Sequence, residues 1–297
     1  ERMCVMARLL KGGPVAESMC QRLQKQVETL GQIDVVPVFG IVRVGERPND
    51  VSYERGAMKR AASLGVEVRR FLLPETATED ELVAVLEKIN HGDSVHGCLL
   101  FRPLPPHLDT QRVGRTLRPE KDIDAMTTAS MGGLLTQTDV GFAPCTASAC
   151  LELLRYYHIP LQGKKIAVIG KSMTVGLPTA LLMMNEEATV SVCHVLSERQ
   201  DTRDFCHGSD IIISATGCQG LITGDYVRPG QTVVDVGVTM GKDGRLHGDV
   251  DFEAVAPIVD AVTPVPGGVG AVTSTVLVGH AVEAAIRLCG RASNVPA

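Results

Sequence analysis

The chain has 297 residues, more than one compact core usually holds, which predicts about two lobes and excludes a single small module. With 44% hydrophobic and 21% charged residues it can bury a sizeable core, so disorder, collagen-like repeats and a disulfide miniprotein are excluded. Twenty-nine basic against 34 acidic residues give a net charge of −5, the wrong sign for covering a phosphate backbone, and 3% aromatics without Trp provide no stacking surface for bases. No nucleic-acid partner is expected. Nine Cys, an odd number without a Cys-x-x-Cys pair, and no recognisable secretory leader predict reduced thiols in a cytoplasmic compartment. No apolar run reads as a membrane span, so no membrane partner is expected.

Residues 14–30 carry Val15, Met19, Leu23, Val27 and Leu30 at helical spacing, with Pro14 suited to the first turn. Val35–Val44 is a β-branched run that predicts a buried strand. Asn49 or Asp50 is placed to cap a helix running to Gly65, and Val66–Leu72 reads as a short strand. Thr78 and Glu81 have capping-box spacing for a helix over Thr78–Asn90. The strand Val95–Phe101 then runs into Arg102-Pro103-Leu104-Pro105-Pro106, where prolines forbid regular structure. This alternation predicts an α/β lobe with parallel strands. Arg118–Phe142 reads as loop-rich. A second βα series follows: helices over Thr146–Tyr157 and Val175–Asn185, and strands at Lys165–Gly170, Thr189–His194, Ile211–Ala215 and Thr232–Val236. Thr263–Gly270 is too rich in Pro and Gly for a helix, and a helical pattern resumes over 272–289.

Gly170-Lys171-Ser172-Met173-Thr174-Val175-Gly176 follows an apolar strand where a helix should begin. Glycines there let backbone approach a ligand, and unpaired amides at a helix N-terminus attract diphosphate oxygens, so Gly170, Lys171, Ser172, Val175 and Gly176 are candidate dinucleotide contacts. The spacing departs from the usual G-x-G-x-x-G, and an ordinary tight turn is the alternative. An NAD-preferring site often has an acid at the end of the next strand, but here that strand ends Cys193-His194-Val195-Leu196. Lys171, assisted by Arg199, can instead meet a 2′-phosphate. NADP is therefore favoured, with NAD as the alternative and both cations equally readable as solvated surface groups.

Tyr53, Pro103-Leu104-Pro105, Lys121-Asp122-Ile123-Asp124, Pro144-Cys145-Thr146, the Gly170–Pro178 turn and Pro264–Gly270 occur in an order that resembles the methylenetetrahydrofolate dehydrogenase/cyclohydrolases, over roughly residues 8–290. The resemblance implies two α/β lobes with a cleft between them: a folate-binding catalytic domain over 1–141 plus the C-terminal helix 272–297, and a Rossmann-like NAD(P)-binding domain over 142–271. It implies a homodimer and a tetrahydrofolate one-carbon derivative as substrate. Tyr53 matches the tyrosine that packs on folate and Asp124 the aspartate that clamps the pterin, with Phe101, Pro103, Leu104 and Gly270 as further substrate contacts. Val195 stands where a phosphate-binding serine is frequent. Thr216-Gly217, Gly237-Val238 and Thr273 match cofactor-side positions, although strand-end turns, packing and helix capping explain the same residues.

The family lysine four residues after the tyrosine is Ala57 here, the glutamine before the Leu-Pro-Leu segment is Phe101, and the serine three residues before the tyrosine is Asp50. Lys59 lies about 200° around the helix from Ala57, on the wrong face. Arg60 shares the face but supplies charge rather than base catalysis. Asp50 is either a helix cap or a replacement base. Hydride transfer from an N–CH₂–N bridge needs placement rather than a proton acceptor, whereas hydrolysis of the methenyl product needs an activated water. The expectation is an NAD(P)-dependent 5,10-methylenetetrahydrofolate dehydrogenase with weak or absent cyclohydrolase activity, against the alternative of a non-catalytic or repurposed folate- or nucleotide-binding homologue. Cys145 reads as a structural thiol because no base is identifiable nearby, and no metal site is expected.

Overall fold

Parallel strands alternate with helices through most of the computed structural model, which describes residues 6–292; Thr239–Met240 and Leu246–His247 form a separate antiparallel pair. The described residues divide into two units, one formed by the chain up to Glu17 with Thr146–Thr273, the other by Ser18–Cys145 with the segment from Ser274 onward.

The Ser18–Cys145 unit is built on three parallel strands in the spatial order Glu67–Leu73, Val38–Val44, Gly97–Leu100. Every residue of the central strand is buried, as a strand covered on both faces must be. The one charge in that strand is Arg43, whose Nε donates to Glu54 Oε2 at 2.8 Å, while Arg70 Nε donates to Glu54 Oε1 at 2.5 Å. Two strands thus hold one carboxylate on the helix Pro48–Ser63, immediately after Tyr53. The helix Glu79–His91 starts at the expected capping box, with both reciprocal hydrogen bonds formed. Its last turn is closed from outside, since buried Lys121 Nζ donates to the carbonyls of Ile89 and Gly92, each at 2.7 Å.

The Thr146–Thr273 unit contains a six-stranded parallel sheet in the order Arg8–Leu9, Ala261–Val262, Thr232–Asp235, Ile211–Ser214, Lys165–Ile169, Thr189–Cys193. The chain moves outward from Lys165–Ile169 to Thr189–Cys193, then crosses back to Ile211–Ser214 on the other side. That reversal is a topological switch point, where ligands of open α/β sheets bind at the carboxyl ends of the strands.

Several expectations need correction. The first described strand, Arg8–Leu9, pairs with Ala261–Val262 in the six-stranded sheet, so the start of the chain does not group with the rest of 1–141. Neither Asn49 nor Asp50 caps its helix: Pro48 takes the first helical position and Arg47 is the cap residue, because a proline needs no amide partner there. Asp50 Oδ2 instead accepts from Arg47 Nε at 2.8 Å. The expected strand from Val35 begins only at Val38, after Pro37, which lacks a ladder donor. Arg118–Phe142 contains a 3₁₀ turn at Pro119–Lys121 and a helix at Thr128–Thr136. The stretch Gly270–Gly290, with mean hydropathy 1.3, has the length and composition of a membrane span, but 56% of it is buried within the protein, as in a core helix.

Replacing Thr78 by Ala removes the cap of Glu79–His91 and should lower the unfolding free energy by about 1 kcal/mol, measurable by urea denaturation.

Candidate active site

In the Ser18–Cys145 unit, three of the expected site residues, Tyr53, Phe101 and Asp124, come together. The rings of Tyr53 and Phe101 meet edge to face, with centroids 5.9 Å apart and planes at 86°. Burial pushes the Tyr53 phenol well above its usual range, and the charges of Cys145 and Asp124 add to this, so the ring is a neutral packing surface with a neutral O–H. Asp124 follows Ile123, and its Oδ1 accepts from the Cys145 amide at 2.9 Å. Its side chain remains 28% exposed, and Arg102 Nη2 lies 3.7 Å from Oδ2 while donating to the Asp124 carbonyl at 3.2 Å. Burial raises the Asp124 acid; the Cys145 amide and then Arg102 oppose that rise.

The neighbouring Asp122 has a different task. Its two oxygens accept from the Met126 and Thr127 amides and from Ser130 Oγ, at 2.8, 2.7 and 2.6 Å, which folds the turn into Thr128–Thr136. Pro103 is exposed at the surface of this region, whereas Leu104 belongs to the hydrophobic core with Leu108 and Val113. Ala57 is fully buried on the Tyr53 helix. Lys59 is exposed, and Arg60 Nη1 donates to Cys20 Sγ at 3.3 Å.

Cys145 does have a histidine beside it, which corrects the expectation of no nearby base. His280 Nδ1 lies 3.7 Å from Cys145 Sγ, but it also bonds the Ile123 carbonyl at 2.9 Å. A carbonyl only accepts, so Nδ1 carries the proton in that bond and cannot take another from the thiol. Cys145 Sγ donates to the same carbonyl at 3.3 Å, and burial pushes the thiol well above its usual range. It is a structural group. The pairing escaped sequence reasoning because 135 residues separate its members.

In the other unit, the switch point carries the glycine turn. Gly170 has φ +134°, and an added Cβ there would come within 2.3 Å of the Ala215 carbonyl; at Gly176 it would come within 2.0 Å of the Gly170 carbonyl. The backbone therefore forms a cradle that a side chain would fill. Ser172 Oγ accepts from the Val175 and Gly176 amides at 3.2 and 3.3 Å, so these two helix amides are capped, contrary to the expected unpaired set. Lys171, Ser172 and Met173 are exposed on the rim. The strand Thr189–Cys193 ends without a carboxylate, and Val195 is 61% exposed. Arg199 Nε donates to the Tyr226 hydroxyl at 3.3 Å.

Thr216 and Gly217 follow Ile211–Ser214, with the Thr216 amide and hydroxyl both bonded to Asp249 Oδ2. Val238 is 53% exposed after Thr232–Asp235. Gly270 opens the last helix with space around its Cα, while Thr273 is buried inside that helix and its Oγ1 donates to the Val269 carbonyl at 3.3 Å. Thr273 is therefore not the helix cap. Sequence reasoning missed Asp235 and Asp249, since a buried acid and a surface acid look alike without the fold.

A glycine cradle at the switch point of a parallel sheet, in a chain with a second α/β unit, defines a two-unit nucleotide-dependent enzyme class. Residues 10–124 match the family described as tetrahydrofolate dehydrogenase/cyclohydrolase, catalytic domain, and residues 144–289 match the NAD(P)-binding domain of the same family. The chain is 42% identical over 281 residues to the bifunctional protein FolD of Carboxydothermus hydrogenoformans, covering 94% of this chain and 97% of that one. Among solved structures, the FolD enzyme of Campylobacter jejuni superposes with a TM-score of 0.91 at 34% identity, over 95% of this chain and 99% of that one. The Trypanosoma brucei methylenetetrahydrofolate dehydrogenase-cyclohydrolase, solved with NADP cofactor and an inhibitor, superposes with a TM-score of 0.90 at 32% identity, over 98% and 100%. The chain belongs to the tetrahydrofolate dehydrogenase/cyclohydrolase family.

Gly176→Ala should drive a methyl into the Gly170 carbonyl and abolish nucleotide binding, whereas Gly132→Ala, with nothing within 4 Å, should leave it unchanged; calorimetric titration with NADP distinguishes the two.

Proposed function

We propose that the protein is an NADP-dependent 5,10-methylenetetrahydrofolate dehydrogenase whose cyclohydrolase activity is weak or lost. The observation that carries the reading is a ligand-accessible Asp124 beside the Tyr53–Phe101 pair, in the same chain as the Gly170–Gly176 cradle. The Ser18–Cys145 unit is proposed to hold the folate: Tyr53 offers a ring face to the pterin, and Asp124 accepts from its amino group and ring N–H. Phe101, Pro103 and Gly270 complete the proposed substrate contacts.

The Thr146–Thr273 unit is proposed to hold NADP through Gly170, Lys171, Ser172, Val175 and Gly176, with Val195, Thr216, Gly217, Val238 and Thr273 nearer the ribose and nicotinamide. Bound there, NADP supplies the hydride acceptor. The bridging carbon loses hydride, and a flanking nitrogen lone pair forms the C=N bond of the methenyl cation. No side chain has to take a proton. The protein's share is alignment and the exclusion of water.

Hydrolysis asks for more, and here the polar set is depleted. Ala57 is a buried methyl, the Phe101 ring packs on Tyr53, and Asp50 is engaged by Arg47. General acid–base groups typically contribute about 10²–10⁴-fold, so their replacement is expected to suppress that step selectively. A homodimer in a reducing, cytoplasmic compartment belongs to the same proposal; all eight cysteines among the described residues are free thiols, which suits such a compartment.

With methylenetetrahydrofolate and either NADP or NAD, absorbance from reduced nicotinamide and from methenyl-folate should rise in equal amounts, faster with NADP. Rapid loss of the methenyl signal would overturn the loss of hydrolysis, and no reduction with either nucleotide would overturn the dehydrogenase.

Asp124 binds the pterin as a carboxylate, so kcat/KM should be high above its pKa and fall as pH drops through it. Arg102→Leu removes an influence that lowers that pKa. The acid limb of the pH profile should therefore move to higher pH, with little change in the alkaline region.

A further inference from the structure

A second acidic centre lies in the Thr146–Thr273 unit. Asp235, at the end of Thr232–Asp235, is 3% exposed, and Asp249 is fully buried. Asp249 Oδ2 accepts from Ser214 Oγ at 2.9 Å, the Thr216 amide at 2.6 Å and Thr216 Oγ1 at 2.9 Å. Its Oδ1 has no hydrogen-bond partner among the described residues and packs on Gly237, where an added Cβ would come within 1.9 Å of it. Asp235 Oδ1 accepts from the Gly237 and Asp249 amides at 3.1 and 3.0 Å, and Oδ2 from the Val250 amide at 2.9 Å. Two carboxylates thus gather three separated segments: 214–216, 237 and 249–250. Asp235 also lines two cavities, of about 590 and 330 Å³.

Two of these segments carry Thr216, Gly217 and Val238, the proposed cofactor contacts. We infer that Asp235 and Asp249 are positioning residues for the cofactor loops, Asp249 fixing Thr216–Gly217 and ionised Asp235 fixing Gly237–Val238, so that a proton on Asp235 weakens nucleotide binding. The inference rests on the NADP reading above.

The reason is an acceptor count. An ionised carboxylate offers lone pairs on both oxygens to the three amides, whereas a protonated one gives up acceptor capacity and weakens the remaining bonds. Burial pushes Asp235 up to about 7; the Val250, Asp249 and Gly237 amides oppose this, and the Asp249 carboxylate adds to it. His247, Asp251 and Glu253 line the same cavity as Asp235. Of these, His247 Nε2 is paired with Asp243 at 3.0 Å and Asp251 Oδ1 accepts from the Ala254 amide at 3.2 Å. The loop contacts are therefore at full strength above neutrality and decline below it.

Calorimetric titration of the full chain between pH 6 and pH 8 tests this. NAD is the principal probe, because the 2′-phosphate of NADP has its own transition near pH 6, and NADP is the second. Uptake of one proton with a midpoint near 7 predicts an affinity about tenfold lower at pH 6 than at pH 8. Asp235→Asn should bind no more tightly at any pH than the wild type does at pH 6 and show no transition, and Asp249→Asn should move the transition to lower pH. The wild-type profile decides the matter even where a variant fails to fold. Tight binding that does not vary with pH overturns this inference alone, as does a wild-type profile in Asp235→Asn. Failure to bind either nucleotide at any pH overturns the NADP reading as well.

Discussion

Irregular backbone at the carboxyl ends of parallel strands must find hydrogen-bond partners, and buried aspartates supply them in both units. A strand end delivers its loop to the site with amides that no ladder satisfies, and each amide left alone in a low-dielectric interior costs about 1–3 kcal/mol. One carboxylate satisfies two or three of them at once. Asp122 does so for the turn into Thr128–Thr136, and Asp235 for Gly237 and the Asp249–Val250 segment. These loops are thereby held by buried carboxyl groups.

This arrangement explains how Asp122 and Asp124, two residues apart, have opposite fates. Asp122 is 1% exposed, and its oxygens are consumed by three donors of its own loop. Asp124 has one oxygen anchored on the Cys145 amide and the other turned toward Arg102 with part of its surface open. An anchored carboxylate with a spare oxygen can recognise a ligand N–H without reorganising, which is what a positioned binding group requires.

The alternation of strand and helix was legible in the sequence because it rests on local periodicity, and so was the capping box at Thr78. The glycine turn was legible too, since few residues other than glycine fit where Gly170 and Gly176 stand. Pairings between distant segments carried no local signal. Arg8–Leu9 joins a strand more than 250 residues later, and His280 reaches Cys145 across 135. The buried acids were invisible for a related reason: Asp in a loop is usually solvated, and only tertiary packing reveals which ones are not. Short helices such as Thr110–Thr116 and Arg199–Gly208 escaped because an apolar stripe needs more turns to show.

The helix that carries Tyr53 illustrates how an ion-pair clamp can set a helix on its sheet independently of the side chains along its other positions. Glu54 is 4% exposed and held between buried Arg43 and half-exposed Arg70, and removing one partner of a fully buried pair such as Arg43–Glu54 generally costs about 3–5 kcal/mol. That clamp fixes the rotation of the helix on its two strands without help from position 57. The Tyr53 ring therefore stays set against Phe101 while the side chain one turn later is only a methyl. The shape of the Tyr53–Phe101 surface is thus maintained by ion pairs beneath it.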